Sequence, residues 1–119
     1  TGSAALTALA GAFRGYVLRH PGRYAATLGQ PNGPADDPLS VAGARVMESI
    51  AVVLRSYGIA PAEMNHALRT VRSVLHGFAT LQAARGFQWD ADIDESFTWL
   101  VAFADRGLSA LGGGVSQPG

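Results

Sequence analysis

Apolar residues recur along this chain at intervals of three and four, and the alternation expected of a strand never lasts more than a few residues, so the sequence predicts helices throughout. From Ser3 to about Arg19 the stripe is Leu6, Leu9, Ala10, Phe13, Tyr16 and Val17, with Ser3 as its N-cap. His20-Pro21-Gly22 stops that helix, because proline disfavours helical geometry in the residue before it and glycine lets the chain turn. A short helix is expected over 23–28. Three prolines, two glycines and two aspartates then make 29–38 an exposed loop.

A third helix runs from Leu39 to Tyr57, with Val46, Met47, Ile50, Val53 and Leu54 on one side and Ser40, Glu48 and Arg55 on the other. Gly58 ends it. Pro61 opens a fourth, from Pro61 to about Arg85, with Glu63 beside the positive end of the helix dipole and Gly86 as its stop. The last helix follows Asp90 or Asp92 as N-cap and runs from about Ile93 to Leu111, where Gly112-Gly113-Gly114 end it. The expected architecture is an all-α bundle of five to six helices over residues 1–111, followed by a disordered tail over 112–119.

The last two helices carry more apolar surface than one core can cover. At about 100° per residue, Ile93, Phe97, Leu100, Val101, Ala104, Leu108 and Leu111 form one face, and Trp99, Phe103 and Ala110 widen it to an arc of roughly 200°. Asp94, Glu95, Thr98, Asp105 and Ser109 occupy the rest. The preceding helix presents Met64, Leu68, Val71, Val74, Leu75, Phe78 and Leu81, flanked by small residues at Ala67, Thr70 and Gly77 that allow another helix to approach closely. A two-fold mate is the commonest symmetric way to cover such a face, giving a four-helix dimer interface from Thr70, Val74, Gly77, Leu81, Trp99, Phe103 and Ala110. The alternative is that Trp99 and Phe103 pack beneath the 86–89 connection within one chain, or meet a further domain outside it.

Composition narrows the function. The 119 residues make one domain, with no cysteine for a disulfide or thiolate site. Nine basic residues, all arginine, balance nine acidic ones, so no net positive field draws in nucleic acid. Charged residues are 15% of the chain against about 25% in an average domain, which again points to apolar surface meeting a partner. No apolar run approaches the length of a membrane span, and the alanine-rich start lacks a basic signal region, so the chain is expected to be cytoplasmic. It begins at Thr1 rather than Met, which raises the expectation of a piece of a longer protein.

Catalytic and metal chemistry find little support. His66 and His76 stand ten residues apart on one helix, turned about 80° from each other, and His20 is expected to cap a helix end, the alternative being a polar group at the mouth of a pocket. Asp90, Asp92, Asp94 and Glu95 fit a helix N-terminus and lack the glycine and distal glutamate of a calcium loop. No serine lies in a nucleophile elbow, and no glycine-rich loop follows a strand. Neither an enzyme nor a cofactor is expected. A small hydrophobic effector, in contrast, would find an apolar cavity with two phenol hydroxyls among Phe13, Tyr16, Tyr24, Met47, Ile50, Leu54, Leu75 and Phe78.

The His-Pro-Gly-Arg-Tyr turn at 20–24, the segment Leu75-His76-Gly77-Phe78-Ala79-Thr80-Leu81 and the Gly86-Phe87 that follows resemble the C-terminal regulatory domain of TetR-type transcriptional repressors, most closely its WHG subgroup. Arg72 stands where that pattern has a tryptophan and Gln82 where a glutamate is common. The resemblance implies an all-α domain whose last two helices form a homodimer bundle and whose others surround a ligand pocket. Effector binding would then control a helix-turn-helix domain N-terminal to this chain, and DNA would be contacted only through that missing domain. The competing reading is a stand-alone helical module that binds a partner protein through Trp99 and Phe103.

Overall fold

A computed structural model describes residues 2–22, 38–86 and 92–112 of the chain. Among these residues all regular structure is helical: α1 (Gly2–Arg19), α2 (Pro38–Ser56), a 3-10 turn (Pro61–Glu63), α3 (Met64–Ala83) and α4 (Ile93–Gly112). The short helix expected over 23–28, most of the 29–38 loop and the tail from 113 lie outside the described residues. Four α-helices are therefore described, against the five to six expected.

Spacing decides what α1 buries. Leu6, Ala10, Phe13 and Val17 recur every three or four residues and face inward, and α1 packs against α2, α3 and α4 in turn. Ile50, Val53 and Leu54 of α2, Val71, Leu75 and Phe78 of α3, and Phe97 and Leu108 of α4 complete one core with them. Each such large side chain contributes about 1.5–3 kcal/mol through removal from water. Among the described residues no polar or charged side chain is fully buried.

The helix ends follow from local chemistry, with three corrections to the sequence reading. The first helix begins at Gly2, so Ser3 is already inside it, and the Ser3 carbonyl accepts the Thr7 hydroxyl at 2.9 Å. The second correction is at the end of α3. There Arg85, not Gly86, takes the left-handed conformation, with φ of 58°. The Gly86 amide donates to the Leu81 carbonyl and the Arg85 amide to that of Gln82, the paired bonds of a Schellman closure. An equivalent closure ends α2, where Gly58 at φ 75° supplies the left-handed residue and Ile59 donates back to Leu54. Glycine adopts that geometry freely, whereas arginine does so at a cost.

The third correction concerns the end of α4. Gly112 was expected to begin the tail, yet it is the last residue of the helix and is buried. A Cβ there would collide with the Tyr57 carbonyl oxygen, so only glycine lets α4 sit this close to the end of α2. Leu111, expected on the core face, is left 78% exposed because Gly112 makes the inward contact at that level. At the other end, Asp92 is the cap: its Oδ1 accepts the amides of Asp94 at 2.8 Å and Glu95 at 3.3 Å.

Candidate functional site

The helices α3 and α4 lean on α1 but approach each other closely at few points, and an apolar cleft runs between them. Leu6 and Ala10 of α1 line it together with Thr70, Val71, Val74 and Leu75 of α3 and Leu100, Val101, Ala104 and Leu108 of α4. Phe103, Gly107 and Leu111 complete its lining, and the space amounts to about 120 Å³. Thr70 is the one hydroxyl in this lining, and it donates its proton to the His66 carbonyl at 2.8 Å. The cleft therefore offers almost no hydrogen bonding to an occupant, which favours apolar contact.

Beside the cleft, α4 presents a band of apolar side chains to solvent. Trp99 is 70% exposed and Phe103 64%, and their rings stack with centroids 5.8 Å apart. A second hollow, lined by Trp99, Ala102, Phe103, Arg106 and Gly107, lies next to the same two rings. Leu81 of α3 is also exposed. Packing among the described residues thus leaves Trp99 and Phe103 uncovered; the connection after Gly86, the alternative cover, lies outside them.

The other residues named from sequence fall in two places. Phe13, Ile50, Leu54, Leu75 and Phe78 are buried in the core, with Tyr16 and Met47 partly buried against it, while Tyr24 lies outside the described residues. The structure also gathers residues the sequence reading did not single out for a site. Arg14, on the edge of the buried stripe of α1, donates from Nε to Gln82 Oε1 and from Nη2 to Asp94 Oδ1, each at 2.8 Å. Its guanidinium carbon lies 4.7 Å from the centre of the Phe97 ring and 5.7 Å from that of Phe78. One cation therefore joins α1, α3 and the start of α4.

A second junction forms at the opposite end of α4. The Tyr57 hydroxyl donates to Asp105 Oδ1 at 2.6 Å, and its ring lies against Gly2 at the start of α1. Burial, then the hydrogen bond to Asp105 and that carboxylate's charge, hold the Tyr57 hydroxyl well above its ordinary titration range. His66 is exposed on α3 and His76 half-buried, while the His20 ring lies 5.3 Å from that of Tyr16. Among the described residues no group of three or more histidines and carboxylates could hold a metal ion. No described helix is long and apolar enough to cross a membrane.

An all-helical domain with these features matches the family described as "Tetracyclin repressor-like, C-terminal domain" over residues 6–104, and the chain belongs to that family. It is similar to an uncharacterized HTH-type transcriptional regulator of Mycobacterium tuberculosis, Rv0681, with 39% identity over 105 residues, covering 87% of this chain and 47% of the relative. It is also similar to YobS of Bacillus subtilis, again an uncharacterized HTH-type transcriptional regulator, with 30% identity over 108 residues, 90% of this chain and 55% of the relative. The chain thus spans about half the length of the curated relatives it matches. No solved structure is a significant match to it.

Proposed function

We propose that this domain pairs with a second copy through α3 and α4 and senses a small apolar effector, thereby controlling DNA binding by an N-terminal helix-turn-helix domain. The observation that carries the reading is the exposure of Trp99 and Phe103 on the last helix of a domain from a regulator family. Water exposure of two large stacked aromatics is unfavourable, and a second copy using the same face removes both pairs at once. The proposed interface comprises Thr70, Val74, Gly77, Leu81, Trp99, Phe103 and Ala110. The regulatory unit is assigned to residues 1–111 together with Gly112, which lies inside the last helix.

The effector site is assigned to Phe13, Tyr16, Tyr24, Met47, Ile50, Leu54, Leu75 and Phe78. A core of this composition would take a small hydrophobic or aromatic molecule by opening around it, with the Tyr16 hydroxyl orienting any polar group it carries. Regulation follows from population shift: an effector acts by binding one arrangement of α1 relative to α3 and α4 better than the other. That the relatives named as HTH-type regulators extend well beyond the region they share with this chain supports the placement of a DNA-reading half outside it.

Concentration-dependent thermal melting tests the proposal. A domain stabilised by self-association melts higher as its concentration rises, and Trp99→Ala or Phe103→Asp should abolish that dependence while leaving the helical circular dichroism intact. A wild-type melting temperature independent of concentration would count against pairing. A screen of small aromatic and aliphatic compounds should raise the melting temperature of wild type, and replacement of Tyr16 and Met47 by alanine should remove the effect.

A further inference from the structure

We infer that Phe103 of each copy seats over Gly107 of the other, so that this pair fixes the register of the dimer and selects which chains associate. The inference rests on the pairing proposed above and adds to it a specificity-determining contact. Trp99, Phe103, Gly107 and Leu111 are spaced by four residues and so lie along one row of α4. Three of them are large and exposed, at 70%, 64% and 78%, and the third position in the row has no side chain at all.

Nothing among the described residues accounts for that glycine. A Cβ added at Gly107 would meet no atom of the described residues within 4 Å, and its backbone is not left-handed; at Gly112, by contrast, the Tyr57 carbonyl leaves no room. A mid-helix glycine weakens the helix, so an empty space above it is best explained by something that enters from outside. Gly107 and Phe103 both border the apolar cleft on one side and the second hollow on the other. A protruding ring and a vacant position therefore lie side by side, one helical turn apart.

Two-fold symmetry turns that adjacency into complementarity, because when residue 103 meets residue 107 of the other copy, the converse contact forms automatically. An antiparallel α4 pair with its axis level with residue 105 places Phe103 opposite the partner's Gly107 and Trp99 opposite the partner's Leu111. Every exposed large side chain of the row then has an apolar or vacant opposite. Moving the axis to residue 103 sets Leu111 against the partner's Glu95, and moving it to 107 sets the two glycines together and leaves the space empty. Only the first register both fills the vacancy and buries all three large side chains. A related chain with a bulky residue at this position would be rejected by the protruding ring, which is how a protein keeps from pairing with its paralogues.

The test uses two variants of the chain, Phe103→Ala and Gly107→Leu, studied alone and mixed by native mass spectrometry. Each alone is expected to dimerise roughly thirtyfold or more weakly than wild type. Mixed in equal amounts they should form a heterodimer preferentially, because one intact ring meets one intact glycine while the shortened side chain faces the enlarged one. Gly107→Ala, whose added methyl has open space in the subunit, should stabilise the helix yet weaken pairing, which separates folding from association. A wild-type dimer whose Gly107→Leu variant pairs equally well, or a mixture with no preference for the heterodimer, would overturn the register and leave the pairing intact. A monomeric wild type would overturn both.

Discussion

The Arg14 guanidinium lies 4.7 Å from the centre of the Phe97 ring, so a cation of the first helix is held against an aromatic of the last. Its hydrogen bonds to Gln82 and Asp94 keep it there, and its side chain is only 16% exposed. The start of α4 is thereby tied to α1, the helix nearest the N-terminal end of the chain.

Stacking and the bond to Gln82 should matter more than the ion pair. The Asp94 side chain is 83% exposed, and exposed pairs contribute little. Arg14→Ala is expected to lower stability by about 2 kcal/mol through the lost cation–π contact and the unpaired Gln82. Asp94→Asn should cost less than about 1 kcal/mol. Urea denaturation of both variants measures the difference, and equal losses would assign the stability to the ion pair instead.

At the other end of the domain, the raised Tyr57 titration predicts a specific alkaline weakness. The folded hydroxyl holds its proton more tightly than the unfolded one, so its contribution is complete below about pH 10 and is lost as pH rises beyond that value. The stability difference between wild type and Tyr57→Phe should therefore be constant through neutral pH and shrink above about pH 10. Denaturation curves at neutral and alkaline pH read this directly.

The two helix closures predict opposite responses to glycine. Arg85→Gly relieves a left-handed arginine and should raise stability by about 1 kcal/mol. Gly58→Ala forces a side chain into that conformation and should lower it by about 1 kcal/mol. Thermal melts of the pair check the signs.

Gly112→Ala should destabilise by about 1–3 kcal/mol, since the new methyl runs into the Tyr57 carbonyl and one of the two backbones must yield. A neutral result would place the end of α4 farther from α2. Helical circular dichroism and denaturation together distinguish local displacement from global loss.

Much of this fold was legible because its signals are local. The three- and four-residue spacing of Leu6, Ala10, Phe13 and Val17, the glycine after α2 and the aspartate before α4 each act within a turn or two of their own position. The exposure of Trp99 and Phe103 was legible from the width of the apolar arc, which exceeded what one core can hide. Arg14 was missed because its partners, Gln82 and Phe97, lie on other helices; the one available signal was its place four residues after Ala10, on the buried side. Gly112 was misread because a glycine run looks like a terminus, and only the approach of Tyr57 shows that the first of the three is a contact. The left-handed Arg85 was invisible for the same reason, since the rule for helix ends points to glycine.

Sedimentation equilibrium of the chain decides whether α3 and α4 present a face completed by a second copy. Wild type is expected to show the mass of two chains and Phe103→Asp that of one, with the same helical content in both. A wild-type chain that sediments as a single subunit at every concentration reached would contradict the pairing.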